Sequence, residues 1–183
     1  MDYPSSSSTD PSAWSGGVVL GRSTLEEVHK DIRIMSLPSW IGRVPHDLGS
    51  ASHGSLSADQ WRTACTVNLV TTLGRLWGSK PADSIERRML ENFMDLVAAT
   101  KLANMRTITP TRIADYDFYM LRYLQRAVIL YPNVSLRPYH HLSLHYSRFL
   151  KNFGPTHSWR CFPFERYNYL LQQVNTNSKF GRW

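Results

Sequence analysis

Punctuation constrains this chain more than any other feature. Six helix-starting signals recur along it, each followed by apolar residues three or four apart, and most of the runs are closed by proline or glycine. Ser23-Thr-Leu-Glu26 has the form of a capping box, in which a hydroxyl and a carboxylate three residues apart each take a backbone N–H. The helix behind it would bury Leu25, Val28, Ile32 and Met35, and Pro38 would end it. Ser57-Ala-Asp-Gln60 is a second box. Its helix would run to about Trp77, with Trp61, Cys65, Leu69, Leu73 and Leu76 or Trp77 inward and Gly78 as the stop. Ser84 caps a third helix to about Met105, with Met89, Phe93, Leu96, Val97 and Leu102 inward and Glu86, Arg87, Arg88 and Glu91 facing water. Thr109-Pro110 opens a fourth through Tyr131, with proline at its favoured first position. Its inner stripe would be Ile113, Tyr116, Met120, Leu124, Val128 and Tyr131. Arg137-Pro138 opens a fifth, to Phe153, with Gly154 as its cap. Phe162-Pro163 opens a sixth, to about Asn175, lined by Phe164, Tyr167, Leu171 and Val174.

This succession predicts an all-α chain: an irregular bundle of about five main helices plus a short N-terminal helix. Residues 1–22 read as a disordered leader, since Met1 to Gly17 are rich in Ser, Pro and Gly. Val18-Val19-Leu20 reads as a short strand or an extended lead-in. Residues 23–56 hold the N-terminal helix and an irregular segment that Trp40 and Ile41 would anchor to the core. Residues 57–177 form the main helical domain, and 178–183 a tail. At 183 residues and 42% hydrophobic content, the chain has enough apolar side chains for one core.

Charge is distributed unevenly. From Arg137 to Trp183 there are seven Lys/Arg and one acid, so this segment carries +6 of the net +7. It also holds 11 of the 22 aromatic residues and four of the seven histidines. A basic, aromatic end suits a polyanionic partner, because cations track phosphates while aromatic faces stack on bases. Arg137, Arg148, Lys151, Arg160 and Arg166 are the candidate phosphate contacts, with Lys179 and Arg182 beyond them. Trp159, Tyr139 or Tyr169 would stack. Tyr146, Phe149, Phe153, Phe164 and Tyr167 fall at helical spacing and read as core.

Other chemistry is thinly supported. Cys65 and Cys161 are far apart and form no C-x-x-C pair. His141 and His145 can share one helical face, and with His157 and Cys161 they would make a chemically reasonable zinc set. However, Leu-Ser-Leu separates the pair, so the H-E-x-x-H pattern is absent. No metal site is assigned. No run reaches the length of a membrane span, and no targeting signal is recognised, so a nuclear or cytoplasmic chain without membrane contact is expected. Glu165, in the first turn of the sixth helix, has two readings. The helix dipole alone explains a carboxylate there, with Arg160 or Arg166 to pair with it. Alternatively it is a metal-binding acid, though one Glu cannot hold the two ions that phosphoryl-transfer enzymes use.

Several blocks together carry a family resemblance: Leu37-Pro-Ser-Trp-Ile-Gly42, Leu56-Ser-Ala-Asp-Gln-Trp-Arg62, Leu90-Glu-Asn-Phe-Met-Asp-Leu-Val97, Gly154-Pro-Thr-His157 and Phe162-Pro-Phe-Glu-Arg-Tyr167. The chain after about Ile34 resembles the C-terminal helical region of CACTA (En/Spm-type) transposases, in the fungal transposon-derived form. The resemblance implies a helical region that follows the first two catalytic aspartates of a ribonuclease-H-like core, with Glu165 as the candidate third acid. Plant relatives carry a histidine-containing block where this chain has Ala58-Asp-Gln-Trp61, which leaves Asp59 without an implied role. No β-rich segment bearing two further aspartates precedes the helices. The expectation is therefore a transposase-derived fragment, inactive alone, that retains DNA binding. A divalent metal such as Mg2+ would enter only with a completing catalytic core. DNA, a transposase core or a second copy are the implied partners. The alternative is a helical protein–protein interaction module with no nucleic-acid or catalytic role.

Overall fold

The computed structural model describes residues 20–50, 56–159, 167, 168, 170 and 171. Every regular element among them is helical, and none is a strand. Residues 1–19 of the expected leader (1–22) and most of the expected sixth helix lie outside the described residues, and Arg22, expected in the leader, is the first residue of a helix. Tyr167, Asn168, Leu170 and Leu171 are helical and exposed.

Helix α1 spans Arg22–Ile34. The expected capping box at Ser23 does not form: Gly21 is the N-cap, and no side chain caps this helix. Val28 is fully buried, whereas Leu25, Ile32 and Met35 are half-buried. The irregular segment after it is anchored by Val44 and Leu48, not by Trp40, which is 83% exposed. The anchor is reinforced by His29 Nε2, 2.8 Å from the Leu48 carbonyl oxygen.

The second expected helix starts as predicted. Ser57 Oγ accepts from the Gln60 N–H, and the Gln60 side chain accepts from the Ser57 N–H. It is not continuous, however. Helix α2 (Ala58–Thr63) passes into a π turn (Ala64–Asn68) and then α3 (Leu69–Trp77). A π turn inserts one residue and rotates the following face relative to the preceding one. Trp61 is consequently half exposed, while Leu69, Leu73 and Trp77 are buried as expected. Helix α3 does stop at Gly78, but with right-handed φ of −63°, so no left-handed cap is involved. The Gly78 carbonyl is instead taken by the Arg87 guanidinium.

Helices α4 (Ile85–Ala103) and α5 (Pro110–Leu130) form the main pairing of the fold. Ser84 and Thr109 cap them, each hydroxyl accepting a backbone N–H three residues on. Two apolar clusters result. One joins α1, the α2–α3 unit and the start of α4 through Val28, Val44, Leu69, Leu73, Trp77 and Met89. The other joins the end of α4, α5 and α7 through Ala99, Ala103, Tyr116, Met120, Leu124 and Leu150. Between them lie two buried polar residues on α4. Asn92 donates to the Tyr123 carbonyl at 2.8 Å. Asp95, 4% exposed, accepts from Arg122 Nε at 2.9 Å, from Arg122 Nη2, and from Arg126 Nη1 at 3.2 Å.

The fifth expected helix is two: α6 (Pro138–Leu144) and α7 (Tyr146–Phe153), broken at His145. The buried Tyr116 hydroxyl donates to the Ser143 carbonyl at 2.8 Å. That carbonyl would serve Ser147 in an unbroken helix, so the tyrosine replaces a rung of the ladder. The break also lets Leu144 and Tyr146 both pack on the second cluster.

Candidate nucleic-acid interface

From Phe118 to Phe164 the chain contains no Asp or Glu. Helices α6 and α7 lie inside this acid-free stretch. Arg137 is the N-cap of α6 and is exposed; its N–H donates to His140 Nδ1 at 2.8 Å. Arg148 and Lys151 are exposed on α7. No ion pair engages these three among the described residues. Elsewhere six of the described cations are held in ion pairs: Arg62 to Asp59, Lys30 to Glu27, Arg75 to Glu27 and Asp31, Arg87 to Glu91, and Arg122 and Arg126 to Asp95.

Helix α7 is held by its inner edge. Leu150 is 2% exposed, and the Tyr146 ring lies 5.6 Å from that of Tyr116. Thr156, in the 3-10 turn Thr156–Ser158, donates to the Ala103 carbonyl and shares a hydrogen bond with the Tyr146 hydroxyl at 2.9 Å. Gly154 makes the turn between them. Its φ of +75° lies in the region that favours glycine, and its carbonyl accepts the Trp159 indole N–H at 3.1 Å. Burial raises the Tyr116 phenol well above the ordinary value, with the nearby Tyr146 adding to it. Burial likewise pushes Tyr131 up to about 12.

Fixing that edge leaves the outer face free. At about 100° per residue, Arg148 and Lys151 project within about 60° of each other, while Phe149 and Phe153 share the adjoining flank. Phe149 and Phe153 were expected in the core; they are 45% and 61% exposed and stack on each other at 6.1 Å. The reason is the break at His145, which sets the register of α7 so that Tyr146 and Leu150 point inward. Trp159 is half-buried, with its ring 5.5 Å from Tyr146 and 6.1 Å from Phe149. Tyr139 is 64% exposed beside His140. Arg160, Glu165 and Arg166 lie outside the described residues, as do Tyr169, Cys161, Lys179 and Arg182.

The structure also brings together groups that spacing only half revealed. His141 and His145 are exposed, with Nε2 atoms 3.0 Å apart. Among the described residues no three His, Cys, Asp or Glu side chains converge to hold an ion. Val128, expected on the inner stripe of α5, is instead exposed, and Leu130 takes the buried place. Among the described residues no helix is long and apolar enough to cross a membrane.

No protein-family model matches the chain, and no curated protein or solved structure matches it significantly.

Proposed function

We propose that this chain is a transposase-derived helical domain that contacts DNA phosphates through the outer face of α6 and α7 and performs no catalysis on its own. The observation that supports this reading is that Arg137, Arg148 and Lys151, in a stretch of sequence without acids, lack ion pairs among the described residues while a stacked Phe149–Phe153 pair stands exposed on α7. Unpaired cations release counterions on binding phosphate, and exposed aromatic faces accept unpaired bases. The family resemblance places Glu165 as a metal ligand only beside a catalytic core supplied by another chain.

The test is fluorescence anisotropy with a short duplex and a single strand across a salt series. Affinity should fall steeply with salt. Replacing Arg148 and Lys151 together by Ala should lower the salt slope by about 2, about 1 for each phosphate no longer neutralised. Absence of binding at low salt, or an unchanged slope in the double variant, would overturn the reading.

A second reading, a helical protein-interaction module, is favoured by one specific feature. Phe118, Leu121, Val128 and Ile129 are each 47–58% exposed and fall within about 100° on α5, opposite its buried stripe. Val128 continues this stripe into a groove of about 480 Å³ lined also by Leu124, Leu136, Pro138 and Leu144. A helix apolar on two faces suits a partner. Sedimentation that shows a monomer with no concentration dependence, alongside salt-sensitive DNA binding, would decide for the first reading.

A further inference from the structure

We infer that His141 and His145 form a two-imidazole chelate for a divalent transition metal of tetragonal preference, Cu2+ or Ni2+. This inference is independent of the DNA reading. His141 lies in the last turn of α6 and His145 is its C-cap, so the four-residue spacing places both rings over one turn. Their Nε2 atoms are 3.0 Å apart, with ring planes 76° apart. Two nitrogens each about 2.1 Å from one ion stand about 3.0 Å apart when cis at a right angle, and about 3.4 Å apart at a tetrahedral angle. The rings therefore stand within reach of one ion, and the choice among ions follows from their affinity for imidazole.

The Nε2–Nε2 hydrogen bond needs one ring to donate through Nε2, the roles depending on the tautomer. With that hydrogen carried on Nδ1 instead, both Nε2 lone pairs are open to an ion. Modest rotation of the exposed rings brings the lone pairs together. Both side chains are open to solvent, so water fills the remaining positions. The chemistry of the surroundings narrows the choice of ion. Between Phe118 and Phe164 there is no carboxylate to supply the charged oxygen ligands that favour Mg2+ and Ca2+. Nearby cations weaken all metal binding and leave only the ions with the strongest affinity for imidazole, which the divalent series places at Cu2+.

The experiment is titration of the full chain with Cu2+, Ni2+ and Zn2+, read by calorimetry, with the electron paramagnetic resonance of the Cu2+ form. Expected are one site with two equatorial nitrogens and Ni2+ held at least as tightly as Zn2+. Loss of either arm, in His141→Ala or in His145→Ala, should weaken Cu2+ binding by about tenfold to a hundredfold, because the second ligand no longer benefits from its proximity. His157→Ala should leave it unchanged. Circular dichroism of each variant reports that the helices persist, as expected for exposed side chains. Wild-type affinity in either single variant, equal binding in the double variant, or tighter binding of Zn2+ than of Ni2+ would overturn the assignment.

Discussion

The cluster around Val28, Leu73 and Met89 and the cluster around Tyr116, Met120 and Leu150 solve the same packing problem with different chemistry. The first is closed mainly by aliphatic side chains with Trp77 among them, and ion pairs tie the helices beside it. Asp31 accepts from Thr72 Oγ1 at 2.8 Å and from Arg75 Nη2 at 2.9 Å, which ties α1 to α3. The second is closed by tyrosines and hydroxyls, and its outer surface carries unpaired cations and exposed aromatic rings. Thirteen of the 14 acids lie at or before Asp117. The difference lies at the two ends of the chain: Lys30 and Arg75 are paired beside α1, whereas Arg137, Arg148 and Lys151 at α6 and α7 have no ion pair among the described residues. The joint between the halves is Asp95 on α4, which gathers two arginines from α5.

The comparison breaks most sharply at Leu150. Leu150→Ala should destabilise the protein by about 3 kcal/mol, since it opens a cavity where α7 docks. Hydrogen exchange would show α7 losing protection while α1 and α3 keep theirs. Equal loss in both halves would mean that they unfold as one unit. Next comes the joint. Asp95→Ala should cost about 2 kcal/mol by urea denaturation, less than the roughly 3–5 kcal/mol for breaking a fully buried pair. The discount arises because Arg122 and Arg126 remain 36% and 40% exposed and regain water. A neutral result would show that the cation–π contacts of Arg122 with Phe118 and Tyr119, at 4.7 and 5.2 Å, suffice to hold α5.

The smallest effect lies in the first half and depends on pH. The hydrogen bond from Thr72, and then that from Arg75, hold the Asp31 carboxyl below its ordinary value of 3.8. A folded value below the unfolded one contributes stability that is complete above the unfolded value and is lost as pH falls through the folded one. Asp31→Asn should therefore cost about 1 kcal/mol near pH 7, a figure kept small by the exposure of Arg75, and the gap should close toward about pH 2. Urea melts at both pH values measure it. A gap that persists in acid would assign the loss to packing rather than charge.

Much of the fold was legible from residues that act locally. Ser57, Ser84 and Thr109 cap where the sequence places them, and Met89, Val97, Tyr116, Met120 and Leu124 fall on the buried faces their spacing predicts. Ser23 misleads because the chain enters α1 two residues earlier, from Gly21. Trp40 and Trp61 mislead because size suggests burial, yet the irregular segment and the π turn direct them outward. Of the candidate phosphate contacts, Arg137, Arg148 and Lys151 are exposed, as such a contact requires, and Arg160 and Arg166 lie outside the described residues. Phe149 and Phe153 were assigned inward because a continuous fifth helix gives α7 the wrong register.

The sequence by itself determined the helix starts at Ser57, Ser84 and Thr109 and the stop at Gly78, and that acids and surplus cations occupy different stretches. Both follow from short-range terms: a cap or a proline acts within one turn, and charge is simply counted. The tertiary structure alone decided that Asp95 is buried between two arginines, that a π turn divides the second helix and that Tyr116 splits the fifth. It also decided that two histidines meet at 3.0 Å and that α5 shows a second apolar face. These depend on which helical faces pack together, and a buried hydroxyl or carboxylate finds its partner only once that packing is in place.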